Sequence, residues 1–354
     1  MRIVSPLLKK VVYPSLSATG LFRRCSESGL AIVTYHGVLP RGYRLIDAGL
    51  DGSLVKAEVL RKQLRLLKTN YSIISPDDAL AWREGRFELP SRAVLLTCDD
   101  GLLNNLTDML PVLQEEELRC LFFVTGASAG DQRTTLWYEE LLLIFLSAPA
   151  GEFEIASEAV AIRGQLRSQE ERRAKWWDAV KRLSQIEAET RRSFLLAARS
   201  QFGIDSAQSL GGTDGSSCRR FGLLTVPELR ALGGAGMTIG AHTMSHPLLP
   251  QLPSDLAREE IVVCRAKLEA ALQTRVWAFA YPFGDAASVT PPVLAMPQEA
   301  GYAAAFLNFG GGLGVDLPPY ALPRIHVTSK MGLAELDAHV SGFHARLQRY
   351  AGRS

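Results

Sequence analysis

The chain has no CxxC pair, and its five cysteines (Cys25, Cys98, Cys120, Cys218, Cys264) are an odd number, widely spread. Neither a disulfide framework nor a thiolate zinc site is expected, and a reducing compartment fits better. No basic block dominates. The 39 Lys and Arg against 37 Asp and Glu leave a formal net charge of +2, which gives no reason to expect a nucleic-acid partner. A convincing export signal is also missing. Lys9-Lys10 and Arg23-Arg24 flank an apolar stretch from Val11 to Phe22, but Pro14, Ser15, Ser17, Thr19 and Gly20 interrupt it. The stretch falls short of the ~20 apolar residues of a spanning helix, and a signal peptide would place its charges before a stronger apolar centre. Residues 1–29 are therefore read as a surface helix or loose arm, whose basic flanks suit peripheral contact with the inner membrane face. A cytoplasmic location is expected.

What is present is ordinary globular material: 354 residues, 47% hydrophobic and 21% charged, enough for a sizeable core. Short apolar runs alternate with helical patterns. Strands are expected at Ala31–Tyr35, Tyr71–Ile74, Ala93–Thr97 and Cys120–Val124, and again at Met237–Ala241, Val276–Tyr281, Ala303–Leu307 and Leu322–Val327. Between them, Val55–Lys68, Asn105–Glu117, Ser254–Gln273 and Pro291–Ala300 carry helical spacing. Such alternation predicts a largely parallel sheet with covered faces. The rhythm lapses over 131–220, where Glu, Arg, Ala and Leu dominate; this segment is read as a mostly helical insertion. Residues 331–354 read as a C-terminal helix, with His339 and His344 facing solvent.

Chemistry-bearing side chains gather at strand ends, where parallel α/β folds place their functional groups. Asp99-Asp100-Gly101 follows one strand and His242-Thr243-Met244-Ser245-His246 another. Asp-Asp-Gly alone is also what a capped strand-to-helix turn uses, and a lone His pair is often structural. Together they offer Asp100, His242 and His246 as three ligands for a borderline cation, with Asp99 left free as a base. That combination points to metal-assisted hydrolysis. Tyr281-Pro282-Phe283-Gly284 and Arg324-Ile325-His326 end two further strands, and His36 ends the first. Trp137, Tyr138, Trp176 and Trp177 have the apolar spacing of core residues, although sugar stacking is the other use for such rings.

These segments resemble a known family. Thr97-Cys98-Asp99-Asp100-Gly101 is similar to the Thr-Phe-Asp-Asp-Gly motif of the polysaccharide deacetylases, the NodB-homology proteins akin to carbohydrate esterase family 4. His242-Thr243-Met244-Ser245-His246 matches the family's His-(Ser/Thr)-x-x-His motif, and Tyr281-Pro282-Phe283-Gly284 its Pro-aromatic-Gly motif. The resemblance covers residues 30–130 and 220–330. It implies a distorted (β/α)7-type barrel over 30–330 and a divalent metal, usually Zn2+, held by Asp100, His242 and His246. It also implies Asp99 as general base and the backbone N–H of Phe283 at the oxyanion. His326 is the candidate general acid, although the family's late Leu-x-x-His has one residue fewer than Leu322–His326. The family's base-steadying Arg is replaced by Ala280, and Arg324 is the candidate substitute from a neighbouring strand end. Cys98 stands where the family has Phe and is expected to be buried and inert.

The expected activity is removal of an N-acyl group, most simply acetyl, from an amino sugar in a glycan or glycolipid intermediate. A deformylase, an O-acetyl esterase and a catalytically decayed glycan-binding protein remain as alternatives.

Overall fold

The computed structural model describes residues 6–22, 29–157, 160–204, 215–284, 288–311, 314 and 317–350. Cys25 and the Arg23-Arg24 flank lie outside them. The strands are β1 (Leu30–Tyr35), β2 (Ser72–Ile74), β3 (Ala93–Cys98), β4 (Leu121–Val124), β5 (Glu152–Ala156), β6 (Ala161–Gln165), β7 (Thr238–Ala241), β8 (Ala278–Ala280), β9 (Ala304–Gly310) and β10 (Leu322–His326). Seven of them form a closed parallel barrel in the order β1-β10-β9-β8-β7-β4-β3, with β3 pairing back onto β1 from Leu30–Ala93 to Tyr35–Cys98. On its other edge β3 pairs with β2 over its first half and with β4 over its second.

Strand parity decides what reaches the barrel interior, because alternate side chains face opposite ways. Ile32, Leu95, Phe123, Ala280 and Phe306 pack together inside, whereas Val33, Leu96, Phe122, Phe279 and Ala305 pack outward against the helices. Two residues on from Ile32 and from Leu95, at the carboxyl ends of β1 and β3, the same face presents Thr34 and Thr97, and beyond them His36 and Asp99. Gly240 belongs to this interior set. A Cβ there would stand 2.6 Å from the Phe123 ring, so glycine makes room for the aromatic.

The outer helices follow from their apolar spacing. Ala57–Asn70 buries Leu60, Leu64 and Leu67 at i, i+4 and i+7, each worth about 1.5–3 kcal/mol of burial. Pro76–Arg83 starts from a Ser75–Asp78 capping box, and Val226–Gly234 from Thr225–Glu228. Both cap signals stand in the sequence.

The segment 131–220 is mostly helical, with Trp137–Ser147, Gln169–Leu183, Ala188–Phe202 and Ser216–Phe221. It also contains an antiparallel hairpin, β5–β6, which the sequence reading did not foresee. Phe145, Phe153, Ile162, Trp176 and Phe194 build a core of its own. The N-terminal segment is not a loose arm over its described part. Tyr13–Ala18 packs on Leu333–Val340, with Tyr13, Phe22 and Ala338 buried together. Lys9 pairs with Glu335 at 2.6 Å, and Ser17 donates to Asp337 at 2.7 Å. His344, expected in solvent, is buried, hydrogen-bonded to Tyr13 Oη at 2.6 Å and stacked on His339 with ring centroids 4.0 Å apart. No helix among the described residues is long and apolar enough to cross a membrane.

Candidate active site

Five strand ends, those of β1, β3, β7, β8 and β10, converge at the barrel mouth. Asp100 Oδ1 lies 3.6 Å from His242 Nε2 and 3.5 Å from His246 Nε2, and all three side chains are buried. The donor atoms of this trio lie within 4.8 Å of one another. Ligands held near ~2.1 Å in tetrahedral geometry sit about 3.4 Å apart, so the spacing fits a single cation. The tautomers also fit. His242 Nδ1 is 2.7 Å from the carbonyl of Ala280, which can only accept, so Nδ1 carries the proton and Nε2 keeps its lone pair toward Asp100. Burial, and then the neighbouring Asp99, push the Asp100 carboxyl well above the usual range. A divalent ion held by these three residues would favour the ionised form of this carboxyl.

Asp99 has a different partner. Arg324 donates from its two terminal nitrogens to the two carboxylate oxygens at 2.7 and 2.6 Å, with both side chains buried. The guanidinium is itself held by the Leu307 carbonyl (2.6 Å) and by the hydroxyls of Thr34 (3.1 Å) and Thr97 (3.2 Å). Burial would raise Asp99, but Arg324 and then His242 outweigh it and hold the carboxyl far below its usual range. The adjacent carboxyls are thus driven apart, Asp99 downward by its arginine and Asp100 upward by burial.

The loop carrying the histidines is pinned on every side. Gly126 and Ala127 donate to the carbonyls of Thr243 and Met244 at 2.9 and 3.1 Å. Glu260 accepts from Ser245 N (2.8 Å) and Oγ (2.5 Å), and Trp137 Nε1 donates to the His246 carbonyl at 3.2 Å. Such fixing is needed because the backbone is strained. Asp100 (φ 77°), Thr243 (62°), His246 (56°) and Phe283 (61°) are four of the seven described non-glycine residues with positive φ. Strain of this kind, ~1–3 kcal/mol per residue, persists where surroundings over-determine it.

His326 and His36 form the opposite wall, with ring centroids 4.6 Å apart. The β1–β10 pairing, which sets Thr34 opposite His326, brings them together. Burial lowers both imidazoles, His36 to about 3, with Asp99 opposing in each. Phe283 lies edge-on to His246 at 4.9 Å, and Tyr138 comes within 5.4 Å of the same ring. Trp137 and Trp176 are buried core residues and Trp177 is half exposed. Cys98 is fully buried and burial pushes its thiol up, so it is no nucleophile.

The sequence reading missed a buried triad behind Asp100. Arg220 pairs with Asp51 at 2.7 Å and Glu139 at 2.9 Å, tying the insertion to the loop after β1. Nothing in a helical Arg-rich stretch marks one arginine as buried.

Residues 214–305 match the family model for polysaccharide deacetylase. The fold is shared with deacetylase PplD of Streptococcus pyogenes (TM-score 0.55, 16% identity, 89% of this chain and 99% of that one). It is similarly shared with IcaB from Ammonifex degensii (TM-score 0.54, 18% identity, 89% and 98%). A de-N-acetylase from Aggregatibacter actinomycetemcomitans gives TM-score 0.52 at 11% identity over 88% and 99%. A search of curated proteins finds no match.

Proposed function

We propose, from the match of residues 214–305 to the polysaccharide deacetylase family model and from the shared fold, that the chain is a deacetylase of this kind and hydrolyses an N-acyl group, most simply acetyl, from an amino sugar. One observation carries the reading: Asp100 faces His242 and His246 at 3.6 and 3.5 Å while Asp99 stands beside them, ionised by Arg324. Asp100, His242 and His246 would hold a divalent cation, with Zn2+ the choice that suits two imidazoles and a carboxylate. When bound, it supplies Lewis acidity to a carbonyl oxygen and to water.

The chain's own residues do the rest. Asp99 accepts a proton from the attacking water, a step open to it because Arg324 keeps the carboxylate charged and oriented. The Phe283 N–H donates to the developing oxyanion. His326 protonates the leaving amine. Since burial keeps this imidazole neutral, it can give only a proton it has first received, so the proton taken by Asp99 must reach it before the amine departs. His36, in contact with it, is the alternative donor.

The test is mass spectrometry of N-acetylated and N-formylated amino sugars incubated with wild type and Asp99→Asn. Loss of an acyl mass with wild type alone supports the reading and names the acyl group. Sugar binding without any release of acid would favour a glycan-binding protein.

A further inference from the structure

A second concavity lies between the insertion and the barrel. It encloses about 900 Å3, within the ~300–1,000 Å3 of ligand pockets. Met244 and Ser245 back it, but neither the two aspartates nor His242 and His246 line it. Five leucines, Leu136, Leu143, Leu195, Leu196 and Leu223, share its lining with polar and charged groups, among them Gln132, Thr134, Thr135 and the Arg199–Glu140 ion pair. The leucines supply the apolar share of that lining, and the arginines its positive charge.

Arg191 is the informative residue. Its side chain is buried (2% exposed) and lies 5.0 Å over the Trp137 ring. It donates to Ser245 Oγ at 2.5 Å and to the Ile186 carbonyl at 3.2 Å. No carboxylate among the described residues pairs with it directly; Glu260 lies one hydrogen bond away, behind Ser245. Arg220 and Arg324, equally buried, each have carboxylate partners. A buried cation without a counter-ion is costly, and this one lines a cavity large enough to admit an anion. Arg192 lines the same cavity from an exposed position, with only a 3.8 Å contact to Glu189. Leu196, half exposed, continues the apolar wall to the surface.

We propose that this cavity binds an anionic amphiphile, a phosphate ester of an apolar chain, with the phosphate at Arg191 and Arg192 and the chain along the leucines. Two guanidinia suit a tetrahedral dianion better than a single carboxylate. The binding stands by itself. Its meaning for catalysis, that the amino sugar is carried on a lipid phosphate, rests on the deacylase reading.

The experiment is calorimetric titration of the full chain with octyl, decyl and dodecyl phosphate below their micelle concentrations. Inorganic phosphate tests charge alone, and dodecyl maltoside tests the chain alone. Binding should be one-to-one and tighten about two- to fourfold per methylene, with both controls at least roughly tenfold weaker than dodecyl phosphate. Arg192→Glu and Leu196→Glu, both surface changes that leave the melting temperature in place, should each weaken dodecyl phosphate about tenfold. No saturable binding, equal affinity for the maltoside, or unchanged affinity in both variants would overturn the assignment. Alkyl phosphate binding without deacylation of any sugar keeps the cavity and removes the deacylase reading; deacylation without alkyl phosphate binding does the reverse.

Discussion

Replacing Arg324 by Met tests how the base is prepared. The substitution keeps much of the side-chain volume but removes both hydrogen bonds to Asp99, along with those to Leu307, Thr34 and Thr97. Asp99 then remains as a buried carboxylate with no cation in contact, a loss of about 3–5 kcal/mol, or on the order of 10 °C in melting temperature for a chain this size. The pH dependence follows in sign. In wild type the folded carboxyl lies below its unfolded value near ~3.9. The pair's contribution is therefore complete above that value and is lost only as pH falls through the lower folded one. In Arg324→Met burial acts without its main opponent, the folded value rises above the unfolded one, and lowering the pH protonates Asp99 and restores stability. The acid limb of kcat/KM should move upward and kcat fall about 10²–10⁴-fold. Arg324→Lys, which keeps the charge but not the fork, should fall between. Thermal melts from acid to neutral pH and the rate profile are the assays. An unshifted acid limb with a melting temperature near wild type would show that Arg324 does not set the state of Asp99.

Other outcomes are expected. Chelation should lower the melting temperature by several degrees, since a cation at ~100 times its Kd adds about 2.7 kcal/mol; His246→Ala should show no such response. His326→Gln should lose amide hydrolysis about 10²-fold or more yet keep most activity on p-nitrophenyl acetate, whose leaving group needs no proton. The same split in His36→Gln alone would transfer the acid role. Gly101→Ala should cost about 1–3 kcal/mol in a denaturant melt, because φ is +73° and the new Cβ would lie 2.9 Å from Val124; a neutral result would contradict the backbone argument at the Asp-Asp-Gly turn.

The barrel was legible because each strand is short, apolar and punctuated by the polar residues that end it, and the convergence of Asp100, His242 and His246 because they stand at two such ends. For the Asp99–Arg324 pair the sequence offers only the strand-end position of both residues. What makes it work, the Thr34 and Thr97 hydroxyls inside the barrel, follows from parity but could be read only once closure of β1 against both β3 and β10 was known. The proximity of His36 to His326 depends on the same closure. The β5–β6 hairpin did carry a signal: Phe153 and Ile155 alternate with Glu152 and Glu154, and Ile162 with Ala161 and Arg163. It was overwhelmed by helix-favouring residues on both sides. Arg191 and Arg220 were invisible, since arginine in a helical pattern reads as a solvated face and burial is decided by tertiary packing.

The most direct test is a crystal of the zinc-loaded protein measured at the zinc absorption edge. The account predicts one anomalous peak about 2.0–2.2 Å from an Asp100 carboxylate oxygen and from Nε2 of His242 and His246. No peak there, or an ion bound only at another site, would contradict it.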